Sequence, residues 1–380
     1  MGTQCIPILE LCSNLSDNAR DSASRPYSVT DAGCNHKTIF IMTSAEALHK
    51  ESIIIDGVCP LTMEKTNVDW YLDGGVTVAV PTVAIREPAE QTLRNLGAWL
   101  RFIETDNRLR LVKRANDVEQ AKAAGQMGIV FHLQGTDPVE DDLNLLDVYK
   151  TLGVGMVQLT YNVKNRVGDG ACERTDDGLS IFGLELVKRC NELGIIVDGS
   201  HTGNRTTLEA IEAATKPFVF SHANSKALFD SPRNITDEQM KACAATGGLV
   251  GIVGFPGFLG NEARPTLERF IAFIDYAVEL IGPEHVGLGI DYYMGMSPII
   301  PDDKAIARYN DAISTGRWDS EIYPPPPHYY PTGIETPRTL INLTAGLLDR
   351  GYPKETVTKI MGENWLRVFK ECWQVDNDQA

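Results

Sequence analysis

A chain of 380 residues is long enough for one large α/β domain or two medium ones. Its 43% hydrophobic and 23% charged residues are ordinary for a globular protein, and a net charge of −16 leaves no basic face for nucleic acid or an anionic membrane. No run of about 18 apolar residues is present to span a bilayer, and no basic start followed by an apolar core marks a secretory signal. The eight cysteines form no Cys-x-x-Cys pair and no dense framework, so the expected setting is the cytoplasm with reduced thiols.

Residues 1–50 are polar and show little periodicity, and they read as an N-terminal appendage to a single domain over 51–380. Regular patterning starts with Ile53–Gly57, a strand, and Val76–Pro81, a second. A long helix follows from Glu87 to Thr105, with Leu93, Leu96, Leu100 and Ile103 on one face. Asn116–Ala124 reads as a short helix with a capping-box spacing of Asn116 and Glu119. Met127–His132 is the third strand, Val139–Leu152 a helix, Met156–Asn162 the fourth strand and Leu179–Leu193 a helix. Gly168–Gly170 reads as a flexible turn, and Glu173, Asp176 and Asp177 as a solvated acidic loop.

The next stretch organises the rest. Gly194–His201 and Phe218–His222 are β-branched or aromatic runs, each ending in a polar residue and then a histidine, with an amphipathic helix between them. That is a β-α-β unit with one imidazole just past each carboxyl end, where α/β sheets place their chemistry. The plain reading of either histidine alone is a strand-end residue bonded to a loop; the matched pair points to metal or catalytic use. A helix at Asp237–Thr246, a strand at Leu249–Gly254, a helix at Thr266–Ile281 and a strand at His285–Asp291 complete eight strands. Eight strands separated mostly by helices predict a closed (β/α)₈ TIM-type barrel. After strand eight, residues 297–337 are rich in Pro and Tyr and include Pro324–Pro327, which excludes helix or inner strand there. A rigid lid and a surface strap or subunit contact both fit this segment.

The polar residues at the inferred strand ends are Asp56 with Cys59, Thr82, His132 with Gln134, Tyr161 with Asn162, Asp198 with His201, then His222 and Asp291. His201 and His222, with Asp291 as a third candidate ligand, can hold one zinc-like divalent metal. Asp291, His201, His222 and Tyr161 are the candidate acid–base residues. Arg233, in the loop after His222, suits a bidentate grip on a carboxylate; the plain alternative is a surface arginine.

These motifs resemble one family, the membrane (renal) dipeptidases, metallopeptidases on a (β/α)₈ barrel. The likeness is carried by Leu159–Asn162, Gly178–Gly183, Val197–His201, Phe220–Asn224, Arg233-Asn234, Gly287–Asp291 and Gly362–Phe369. The resemblance implies a two-zinc site, of which His201 and His222 match two ligands. It also implies that Arg233 grips the substrate carboxylate and that Asp291 lies near the attacking water and the substrate amine. The chain departs from the family elsewhere. Asp56-Gly57-Val58-Cys59-Pro60 stands where the family has Asp-Gly-His-Asn-Asp, so both ligands of the first metal are gone. Gln134 replaces the bridging Glu, and Tyr161 replaces a histidine that contacts substrate.

The expectation is therefore a degenerate metal site with one divalent ion at most, or none. The leading function is a dipeptidase-like hydrolase acting on a small carboxylate-bearing dipeptide or amino-acid amide, with Arg233, Tyr161, Asn162 and Gln134 binding substrate. One alternative is a metal-independent acid–base enzyme (tautomerase, isomerase or lyase) on an amino-acid-derived metabolite; another is an inactive binding or oligomer subunit. The expected partners are a small molecule and, from the resemblance, a second copy in a homodimer, with no nucleic acid and no membrane.

Overall fold

The computed structural model describes residues 44–297 and 299–373, so the reading of residues 1–43 as an appendage lies outside the described residues. The helix Ser44–Glu51 is already bonded to the main body: His49 Nδ1 lies 2.7 Å from Thr344 Oγ1, and Nε2 lies 3.0 Å from the Gly74 carbonyl.

Among the described residues eleven short strands make one sheet: β1 (Ile55–Asp56), β2 (Val78–Ala79), β3 (Thr82–Ala84), β4 (Leu109–Leu111), β5 (Met127–Ile129), β6 (Phe131–Leu133), β7 (Val154–Gln158), β8 (Ile196–Asp198), β9 (Phe218–Phe220), β10 (Leu249–Ile252) and β11 (Val286–Leu288). Every pairing between them is parallel. Their hydrogen-bonded order is β3-β6-β7-β8-β9-β10-β11-β1-β2-β5-β4. This corrects the expected architecture: the ladder runs from one edge at β3 to another at β4, an open, curled sheet and not a closed (β/α)₈ barrel. The expected strand Met127–His132 is broken in two, and a further strand, β3, follows directly on the expected Val76–Pro81. Pro81, which has no N–H to donate, separates β2 from β3, and Val130 separates β5 from β6, with register shifts where β6 meets β3 and β7. The short β4, paired with β5, was not expected at all.

Why the chemistry gathers at one end follows from what fills the other. Ile55, Val78, Met156, Ile196, Val219 and Leu249, near the amino ends of their strands, pack with Trp365 and Phe369 of the helix Asn364–Trp373. Trp365 is fully buried and its indole N–H donates to the Leu288 carbonyl at 2.8 Å. Gly57 makes room for that ring, since a Cβ there would come within 2.2 Å of it. Burying side chains of this size stabilises the fold by about 1.5–3 kcal/mol each. The carboxyl ends are left for polar groups.

The helix Ala115–Ala124 starts one residue earlier than expected, and Asp117 rather than Asn116 serves its start, accepting from the Lys113 and Arg114 N–H groups at 3.0 Å. The segment 297–337 contains an unforeseen helix, Asp302–Ser314, before its prolines. Among the described residues no helix is long and apolar enough to cross a membrane.

Candidate active site

Past the ends of β7, β8 and β11 the backbone takes conformations that L-residues seldom adopt. Of the four non-glycine residues with positive φ among those described, three are Asn162 (67°), His201 (61°) and Asp291 (64°). Such backbone costs on the order of 1–3 kcal/mol per residue and persists where the surroundings hold it. At His201 the hold is visible: its carbonyl accepts from the N–H groups of Asn162 (3.3 Å) and Ala171 (2.8 Å) and from Thr160 Oγ1 (3.2 Å). The helix Asn204–Ala213 fixes the residues that follow. Asp176 accepts from the N–H groups of Arg205 (2.5 Å) and Thr206 (3.2 Å) at its start, so this residue of the acidic loop is a helix cap and not merely a solvated charge.

The two histidines meet. His201 Nε2 lies 2.8 Å from His222 Nε2, and both side chains are buried. Their protons can be placed from the neighbours. The Nδ2 of Asn162 donates to the Arg317 carbonyl at 3.0 Å, which turns its Oδ1 toward His201 Nδ1 at 2.7 Å. An amide oxygen only accepts, so His201 Nδ1 carries a proton. Behind His222, Ser221 Oγ gives its one proton to the Asp198 carboxylate and lies 2.7 Å from His222 Nδ1, which must therefore donate to it. Both Nε2 atoms are then bare lone pairs facing each other. Such a pair calls for a positive centre between them, a proton or a metal cation. Burial, reinforced by the nearby Arg233 charge, pushes both imidazoles well below the usual histidine range, toward the neutral form that ligates metals.

Asp198 anchors this chain of groups. It accepts from the N–H groups of Ser200 (2.9 Å) and Ser221 (2.8 Å) and lies 3.2 Å from His132 Nε2. Although burial opposes ionisation, His132, His222 and Ser221 together hold the carboxyl well below the usual range. Neither Ser221 nor the role of Asp198 was foreseen. The signal was available in Phe220-Ser221-His222, where a hydroxyl precedes the imidazole.

The corner where the family pattern would place the first metal is different in kind. Val58 is buried and apolar, and the Cys59 thiol donates to the Asp56 carbonyl at 3.4 Å while accepting from the Val80 N–H at 3.3 Å. Burial, then the Asp56 charge, pushes that thiol well above its ordinary pKa, so it is not a thiolate ligand. Among the described residues no group of three or more His, Cys, Asp or Glu side chains could hold a metal ion. A two-metal centre does not fit these residues. The two bare Nε2 atoms are two donors for a single cation at most, and from 2.8 Å they would have to spread apart to take one between them.

A cavity of about 440 Å³ opens onto this site, lined among others by Gln134, Tyr161, His201 and Asp291. Tyr161 stacks on His201 with ring centroids 4.2 Å apart, and burial pushes its phenol up to about 12. Burial pushes the Asp291 carboxyl up to about 8, with the Asp56 charge adding to the effect and Arg233 opposing it. Asp56 itself is raised to about 7 by burial, and its Oδ2 has no hydrogen-bond partner. Arg233 is only 2% exposed. Its Nη2 donates to the His222 carbonyl at a long 3.4 Å, its Nε has no partner, and its guanidinium lies over the Phe258 ring at 5.0 Å. No carboxylate of the described residues lies within ion-pair distance of it. Asn162 is turned to His201, the Arg317 carbonyl and Tyr323 Oη, so the residue expected to touch substrate orients the imidazole here. Sequence reasoning missed Arg317, Trp318 and Tyr323 as cavity walls, because they fall in the Pro- and Tyr-rich segment.

A sequence model of the membrane dipeptidases (peptidase family M19) matches residues 42–314 and 327–380. The chain belongs to this family. A protein from the pqqA 5′ region of Klebsiella pneumoniae is 29% identical over 277 residues, 70% of this chain and 90% of that one. A dipeptidase of Schizosaccharomyces pombe is 28% identical over 300 residues, 77% of this chain but only 64% of that protein's length. Among solved structures, an amidohydrolase from Pseudomonas aeruginosa is 33% identical with a TM-score of 0.76, covering 87% of this chain and 99% of that one. The fold is thus that of dipeptidase- and amidohydrolase-type enzymes, here with a degenerate metal site.

Proposed function

We propose that this chain is a dipeptidase-like hydrolase acting on a small, carboxylate-bearing dipeptide or amino-acid amide, with one divalent cation at most, held by His201 and His222. The observation that carries the reading is Arg233. A buried guanidinium with a free Nε and no carboxylate partner among the described residues is strongly destabilised unless an anion joins it. A substrate carboxylate supplies that anion in a bidentate geometry that only arginine matches.

A divalent cation on the two imidazoles would polarise a scissile carbonyl and lower the pKa of a bound water. The chain's own groups do the rest. Asn162 and Ser221 hold the two Nδ1–H groups and so aim both Nε2 atoms at one point. Tyr161, a neutral phenol stacked on His201, can donate a hydrogen bond to a substrate oxygen. Asp291, protonated near neutral pH in the free protein, becomes a proton acceptor once a cationic amine or cation sits beside it and lowers its pKa. Gln134 offers a neutral amide to the substrate.

One observation favours a second reading, metal-independent acid–base chemistry on an amino-acid-derived metabolite. At 2.8 Å the two Nε2 atoms are at hydrogen-bond distance, closer than a cation between them would hold them, so proton transfer through these imidazoles needs no metal. The test is turnover of a dipeptide and amino-acid amide panel, with and without chelator, by the wild type and Arg233→Met. Cleavage that chelator stops and Arg233→Met reduces about 100-fold, the range for losing a charge-assisted bond to a buried carboxylate, supports the hydrolase. Turnover indifferent to chelator shifts the assignment to acid–base chemistry, and turnover indifferent to Arg233→Met sinks carboxylate recognition.

A further inference from the structure

The family match stops at residue 314 and resumes at 327, so residues 315–326 lie outside the matched framework, an addition to what the family model accounts for in this chain. That addition is built into the cavity. Arg317, Trp318 and Tyr323 all line it. Trp318 and Tyr323 stack nearly flat, with ring centroids 4.6 Å apart and planes 4° from parallel, and Tyr293 tilts against Trp318 at 5.2 Å. The addition is also tied to the strand-end residues that hold His201. Trp318 Nε1 donates to Tyr161 Oη at 3.3 Å, and Asn162 Nδ2 donates to both the Arg317 carbonyl and Tyr323 Oη at 3.0 Å. Arg86 Nη2 bridges the Tyr161 carbonyl (3.3 Å) and the Gly316 carbonyl (3.4 Å). These bonds reach Tyr161, which stacks on His201. The phenol gives the indole N–H an acceptor, and the indole in turn completes the wall.

Resting on the reading of Arg233 as the carboxylate grip, we infer that residues 315–326 make this site select substrates with an aromatic or similarly broad, flat apolar side group, which packs on the Trp318–Tyr323 wall. Four features support this. The wall is aromatic, it is held in place before ligand arrives, and Met63 and Met294, which line the same cavity, are adaptable thioethers suited to close around a ring. The charged residue of 315–326 that lines the cavity, Arg317, is already engaged by Asp311 at 3.3 Å.

The experiment measures binding by calorimetry on the full chain as purified, using alanyl-alanine, phenylalanyl-alanine, alanyl-phenylalanine and the C-terminal amide of each. At least one phenylalanine dipeptide is expected to bind about tenfold tighter than alanyl-alanine, the scale of one ring packed on a preformed aromatic wall. In Trp318→Ala that ratio falls to about twofold or less, and Trp318→Phe restores most of it. Trp318→Leu, which keeps an apolar filler, replaces the alanine variant if the latter does not fold. No preference for phenylalanine, no binding of either phenylalanine dipeptide, or a preference that survives loss of the indole overturns the inference. The amides report separately on Arg233: if they bind as well as the acids, the carboxylate grip fails, whatever the phenylalanine ratio shows.

Discussion

Two corners of the same site have been treated in opposite ways. Around His201 and His222 every polar atom that aims the imidazoles has a partner, from Asp198 through Ser221 on one side to Asn162 and Tyr323 on the other. At the end of β1 the residues are those of an ordinary core: Val58 is buried, and Cys59 is occupied by the Asp56 carbonyl and the Val80 N–H. The difference teaches that the histidine corner is organised by hydrogen bonds to place two bare nitrogens, while the corner at β1 is packed as core.

The sharpest way to break the comparison is at Asp198. Replacing it by Asn puts an amide where three donors converge, the Ser200 and Ser221 N–H groups and Ser221 Oγ, and removes the charge beside His132. We expect a loss of about 3–5 kcal/mol, the scale for breaking a buried charge network, read as a lower urea midpoint for Asp198→Asn. A variant as stable as wild type would show that the network is decorative.

A smaller effect concerns pH. Asp56 and Asp291 have folded pKa values raised to about 7 and about 8, so the stability they carry is complete below the unfolded carboxyl value of about 3.9 and is lost as pH rises through the folded values. Above pH ~6.5 an unfolded histidine is already neutral, which leaves a window up to pH ~8 in which these two carboxyls pull stability downward. Asp291→Asn, which cannot ionise, flattens that decline. Chemical denaturation at the two ends of the window checks it, and an unchanged slope in the variant would contradict the assignment.

The smallest effect is expected at the other corner. Cys59→Ala removes a weakly bonded thiol from a packed core and costs about 1 kcal/mol, with no change in metal content or turnover. A Cys59→Ala protein that lost bound metal would show that this corner still coordinates.

Legibility in the sequence followed the kind of information each feature carries. The positions of His201, His222 and Asp291 were readable because a run of β-branched residues ending in a polar group announces a strand end. The buried state of Arg233 was not readable, since an arginine in a polar loop looks alike whether exposed or enclosed. The breaks at Pro81 and Val130, and the pairing of β4 with β5, were hidden because strand counting does not see where a ladder loses register; the expected closed barrel failed there. Trp318 and Tyr323 were hidden for another reason. Their segment was legible as stiff and non-helical near its prolines, but which surface a stiff segment faces is set by bonds to distant residues, here Tyr161 and Asn162. Asp176 shows the same limit in miniature, as a loop carboxylate whose work is to cap a helix 28 residues on.

The most direct test of the central claim is metal content per chain by plasma mass spectrometry, on protein exposed to excess zinc and then desalted, with His201→Ala alongside. The account predicts one equivalent at most in the wild type, and loss of whatever is bound when one of the two facing nitrogens is removed. Two equivalents in the wild type, or one that survives His201→Ala, would contradict it.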